Sequence, residues 1–156
     1  MWKVRAALPA LVLALVVACA QPSRQLIGVQ NELATNRQQW EAVGLIDYRF
    51  TFERSCFCPP EFSPRVTITV KNRAVESVRD AESGEVLPDP PYSYTVDDLF
   101  DIIQEAIDEA AVEVRAEYNA ELGYPVDVYI DTYATVIDEE YSMKIRDFTE
   151  LPIGPQ

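Results

Sequence analysis

The chain of 156 residues contains no histidine. That absence removes His-dependent catalytic triads, imidazole metal ligands and the usual acid–base group that titrates near neutrality. Cations are scarce too: Lys and Arg number 13 against 26 Asp and Glu, a formal charge of −13. A surface that negative repels phosphate backbones, so nucleic acid is not an expected partner. The charge reads as a solubility device and not as a substrate site. Glycines number only 5, and none stands in a phosphate-cradling loop or a dinucleotide fingerprint. No apolar run reaches the roughly 20 residues that a membrane-spanning helix needs. No catalytic residue, metal-ligand set or cofactor is expected from these absences.

What the chain does have begins at its N-terminus. Lys3 and Arg5 precede an apolar stretch from Ala6 to Val17, and polar residues resume at Gln21, Pro22 and Ser23. That is the layout of an export leader. Cys19 follows Val16-Val17-Ala18, the setting of a bacterial lipoprotein signal, in which the thiol takes a diacylglycerol and the new N-terminus is acylated. Several acyl chains, at about 0.8 kcal/mol per buried CH₂, hold a protein stably at a membrane. Ala20 is not the Asp associated with inner-membrane retention, so the outer membrane, facing the periplasm, is favoured in a two-membrane source. The rival reading is ordinary cleavage after Ala18-Cys19-Ala20, which would release a soluble protein. The expected division is a signal peptide at 1–18, a lipidated tether at 19–32, one domain at 33–151 and a loose tail at 152–156. The leader takes Lys3, Arg5 and no acid with it, which leaves −15 on the mature chain.

Within the domain, Leu33, Trp40 and Val43 recur at helical spacing and Gly44 is placed to end a helix. The period then becomes two. Ile46, Tyr48, Phe50 and Phe52 alternate with polar residues, which predicts a half-buried strand. Val66, Ile68 and Val70 predict a second strand, and an Asn72-Arg73 turn leads to a third over Val75 to Asp80. After a Pro-rich connection, Thr95 can cap a helix whose first turn holds Asp97 and Asp98. Leu99, Ile103, Ala106, Ile107 and Ala110 form its expected buried stripe. Three more alternating strands follow, through Val112 to Tyr118, Val126 to Ile130 and Tyr141 to Ile145. Strands with one apolar side imply an α+β fold, an antiparallel sheet with helices on one face. Its order is helix, three strands, helix, three strands, and the two similar halves suggest a duplicated unit.

Cys56-Phe57-Cys58-Pro59-Pro60 is the one chemically loaded patch of the domain. With Cys19 given to lipid, Cys56 and Cys58 are the remaining thiols and are expected to pair in an oxidising envelope. The enclosed loop is tiny, so the stabilisation is small and stiffening a corner is the plainer role. Free buried thiols, metal binding and thiol–disulfide exchange are the alternatives. Exchange usually gains from a helix N-terminus or nearby cations, and Arg54 is the only close cation. Asp131, Asp138, Glu139 and Glu140 lack the spacing of a calcium loop and read as a solvated face.

Several segments together resemble one bacterial family. Trp40, Gly44, Tyr48 and Ser55-Cys56-Phe57-Cys58-Pro59-Pro60 match its front half. Thr95-Val96-Asp97-Asp98-Leu99-Phe100-Asp101, Tyr118, Leu122-Gly123-Tyr124-Pro125, Ile130-Asp131 and Asp138-Glu139 match its back half. The family is the domain of unknown function numbered 6174, found in secreted proteins and lipoproteins, and the likeness spans Leu33 to Leu151. Asn72-Arg73 stands where a turn glycine is expected, and Asn119 where Asp is expected. The resemblance implies the architecture and compartment but no activity. The expected role is a non-enzymatic, lipid-anchored binding or structural module that meets an envelope protein, with a thiol-redox accessory using Cys56 and Cys58 as the alternative.

Overall fold

A computed structural model describes residues 24–59, 64–90 and 92–152. Helix α1 (Arg24–Val43) precedes strands β1 (Tyr48–Cys56), β2 (Val66–Lys71) and β3 (Ala74–Asp80). Helix α2 (Val96–Asp108) precedes β4 (Glu113–Tyr118), β5 (Pro125–Asp131) and β6 (Tyr141–Glu150). The six strands form one sheet in the order β3-β2-β1-β6-β5-β4, antiparallel throughout. The α+β reading and its element order therefore hold. Cys19 and the leader lie outside the described residues. Residues 24–32, read as tether, are helical, and Leu26 is buried.

Alternation fixes which face is inside. Tyr48, Phe50 and Phe52 of β1 are buried, and their partners Val70, Ile68 and Val66 on β2 are buried with them. Each large apolar side chain so buried contributes about 1.5–3 kcal/mol. A slip of one residue would turn the whole row outward, so the register is strongly specified. The opposite face carries Arg49, Thr51, Glu53, Thr67, Thr69 and Lys144, none of them buried.

Trp40 joins the first helix to the sheet. Its ring stands edge-on to Tyr48, Phe148 and Tyr124 at 5.3, 6.0 and 6.3 Å. Its indole N–H donates to Asp97 of α2 at 3.2 Å. The two helices run antiparallel beside each other, with Gln30 against Gln104 and Arg37 against Asp101. α2 opens with a full capping box: Thr95 Oγ1 accepts from the Asp98 amide, and Asp98 accepts from the Thr95 amide at 2.7 Å. The Tyr48 hydroxyl accepts from the next orphan amide, that of Val96, at 3.1 Å.

The structure corrects three sequence readings. Ala110 is exposed and left-handed (φ 56°), and belongs to a Schellman C-cap in which the Ala111 and Ala110 amides bond the Ala106 and Ile107 carbonyls. Val43 and Val112 are exposed at element ends, and α2 buries Val96 and Phe100 instead. The two halves are not copies. Viewed from the helical side with its first strand pointing up, the first meander runs one way across the sheet and the second runs the other. No rotation superposes two such units while keeping both helices on the same face.

Candidate functional site

β1 continues its inward series past Phe52 to Arg54, so a cation occupies a position that alternation assigns to the core side. Met143 stands opposite it on β6. The guanidinium lies 4.2 Å from the ring centre of Tyr141 and 5.6 Å from that of Tyr92. Tyr92 and Tyr94 in turn pack edge-on against Phe52, each at 5.6 Å. Rings on its faces hold the group by cation–π attraction but take none of its N–H donors, which point outward in its plane. Among the described residues no oxygen accepts from Arg54, and its Nε is fully buried without a partner.

A cavity of about 160 Å³ opens at this guanidinium. Tyr94 and Tyr141 form its walls, and the buried side chains of Ile130 and Met143 its floor. Glu105 and Glu109, one turn apart on α2 and beyond its end, bring carboxylates to the rim. Burial raises the Tyr141 hydroxyl above the usual phenol range. The Arg54 charge opposes that shift, whereas Tyr94, Glu105 and Glu109 add to it. The site thus combines one unbonded cation, two rim carboxylates, neutral phenols and an apolar base. Such a set pairs with a ligand carboxylate at Arg54, an ammonium at the glutamates and an apolar body between them. A wider hollow of about 330 Å³ lies beside Trp40, Leu45 and Asp97, but there the indole donor is already spent on Asp97.

Sequence reasoning treated Arg54 only as a neighbour of the cysteines. The available signal was an arginine continuing an inward i, i+2 apolar series. Tyr92, Tyr141 and the glutamates come from distant segments, and no spacing rule brings them to it.

The structure sets Cys56 at the last position of β1, opposite Tyr141, and Cys58 just past the strand. Their Cα atoms are 5.2 Å apart with the sulfurs facing, inside the range that a disulfide spans. Phe57 between them is 80 % exposed. Asp131, Asp138, Glu139 and Glu140 bracket the β5–β6 loop, where Glu139 accepts from the Tyr133 amide. Burial first, then Glu139, Glu140 and Glu113, raise the Asp131 carboxyl above the ordinary range.

The Leu122-Gly123-Tyr124-Pro125 segment has a packing role. Gly123 is left-handed (φ +83°), and a Cβ there would stand 2.5 Å from the Asn36 carbonyl oxygen and 3.1 Å from the Trp40 nitrogen. α1 lies directly on this turn. Asn119 closes it with its side-chain oxygen, accepting from Glu121 and Leu122 amides at 3.0 and 2.8 Å, as the expected Asp would.

No curated protein and no solved structure matches the chain. The model of a family of unknown function, DUF6174, matches residues 32–150, which include the second half of α1, all six strands, α2, the Cys-Phe-Cys corner and the Gly123 turn. The chain belongs to the DUF6174 family.

Proposed function

We propose that this protein is a lipid-anchored binding module of the cell envelope, with no catalytic step of its own, and that it holds a small apolar α-amino acid in the cavity beside Arg54. The observation that carries the reading is a guanidinium whose buried Nε–H lacks a partner among the described residues, clamped by aromatic rings at the mouth of a cavity. A buried donor left unbonded costs about 1–3 kcal/mol, which a ligand carboxylate offsets. Glu105 and Glu109 supply the complementary charge for the ammonium. Lipid on Cys19 places the module on a membrane, the outer one facing the periplasm where two are present. A Cys56–Cys58 disulfide stiffens the corner next to the cavity wall formed by Tyr141.

Titration calorimetry on the purified acylated protein in micelles tests the ligand. L-leucine, L-methionine and L-phenylalanine are expected to include a saturable binder. Arg54→Met weakens that binder at least about tenfold, the loss of one charge-assisted hydrogen bond. The same skeleton without its ammonium binds more weakly than the amino acid, because the rim glutamates repel it. Absence of saturable binding by all three, or full affinity in Arg54→Met, would overturn the proposal. Intact mass of the same sample reports acylation at Cys19 and, with and without reductant, the disulfide. A bond that resists a glutathione buffer excludes the thiol-exchange alternative.

A further inference from the structure

The end of the sheet where β1 finishes and β6 begins concentrates exposed apolar side chains. Phe57 is 80 % exposed, Ile137 86 %, Val136 52 % and Val112 48 %. The register places them together: Cys56 pairs with Tyr141, and Glu113 pairs with Asp131, so the Phe57 corner, the β5–β6 loop and the approach to β4 share this end. Exposed apolar side chains gathered at one end of a domain mark a surface that meets something apolar.

The described chain starts at the same end. α1 runs antiparallel to α2, so Arg24 lies beside the α2 C-terminus, which leads straight into β4 at Glu113. Ile27, in the first turns of α1, is 48 % exposed there. Residues 20–23 alone separate Arg24 from the acylated cysteine, and the five residue steps from Cys19 to Arg24 span at most about 17 Å even fully extended. A ten-residue strand such as β6 is about 33 Å long. The tether is too short to let the opposite end of the sheet turn to the bilayer while the lipid stays inserted.

We infer that this end is a membrane-contact surface on which Phe57, Val136 and Ile137 enter the boundary between headgroups and acyl chains of a zwitterionic bilayer. The inference rests on the lipoprotein reading of Cys19. Asp131, Asp138, Glu139 and Glu140 flank the apolar residues in sequence and set the headgroup preference, since their charge is repelled by an anionic leaflet. The lipid supplies the anchor, and the apolar side chains fix the orientation of the domain on it.

The test uses the full chain, processed and acylated in a bacterial host and reconstituted into phosphatidylcholine vesicles with brominated acyl chains. Phe57→Trp and Ile137→Trp are compared with Arg73→Trp at the far end. Emission from positions 57 and 137 is expected to shift to the blue and be quenched, while position 73 stays unquenched. Replacing part of the phosphatidylcholine with phosphatidylglycerol reduces the quenching. Acylated protein with no quenching at 57 and 137, or equal quenching at 73, overturns the orientation. Stronger quenching on the anionic vesicles overturns the headgroup preference. An unacylated chain by mass overturns the lipoprotein reading itself, and the contact surface falls with it.

Discussion

At the scale of single residues, positions that break a local rule carry most of the information. Ala110 adopts a left-handed conformation at the α2 C-cap, where glycine is the usual occupant. Its side chain is exposed, so Ala110→Gly loses no packing and relieves the backbone. It is expected to raise stability by about 1 kcal/mol in urea unfolding, with the slope of the transition unchanged. Asn72 and Arg73, both at positive φ, form the hairpin turn that sequence reading placed there, and the Asp47 carboxylate accepts the Asn72 amide at 2.8 Å. Arg54 breaks the apolar pattern of its strand in the same way. An arginine in a strand reads as solvent-facing unless the parity of Tyr48, Phe50 and Phe52 is carried one step further. Even then its meaning depends on Tyr141, which only the β1–β6 pairing brings near.

At the scale of elements, alternation made the strands legible, and the Thr95 cap with Asp97 and Asp98 behind it made the start of α2 legible. Helix α1 was harder. Its buried residues Leu26, Leu33 and Trp40 recur every seven positions, a thin stripe that left residues 24–32 looking like tether. What holds this helix is tertiary: the indole bond to Asp97, the rings around Trp40 and the close approach of Gly123. Gly123→Ala combines a strained φ with a collision against α1 backbone, so it is expected to cost about 2–4 kcal/mol in chemical unfolding. A loss confined to a few tenths would show that α1 does not depend on the turn. The apparent duplication also dissolved at this scale. Strand counts and lengths look alike in the two halves, but the hand of a meander relative to its helix depends on which strands pair across the centre, and no local pattern records that.

For the whole molecule, burial and charge make the fold sensitive to alkali. Burial raises the Tyr48 hydroxyl to about 12, against the lowering effect of the Val96 amide that bonds it, and burial also pushes Tyr118, Tyr124 and Tyr141 upward. An unfolded tyrosine ionises near 10, so the stability held by the neutral Tyr48 is complete below that pH and is lost as pH rises from 10 to about 12. Unfolding free energy is expected to fall across that window. Tyr48→Phe should be less stable at neutral pH for want of the Val96 bond, and should show a shallower alkaline fall. The wild-type slope persisting in that variant would assign the effect to other groups. The architecture was legible from the periodicities of the chain, whereas the Arg54 cavity arises only where β1, β6, α2 and the Tyr92–Tyr94 connection converge. The most direct measurement is therefore the Arg54 Nε–H resonance, followed by NMR during titration with L-leucine, L-methionine and L-phenylalanine. The account predicts a saturable shift of that resonance with at least one of them. A resonance that stays in place through all three titrations would contradict it.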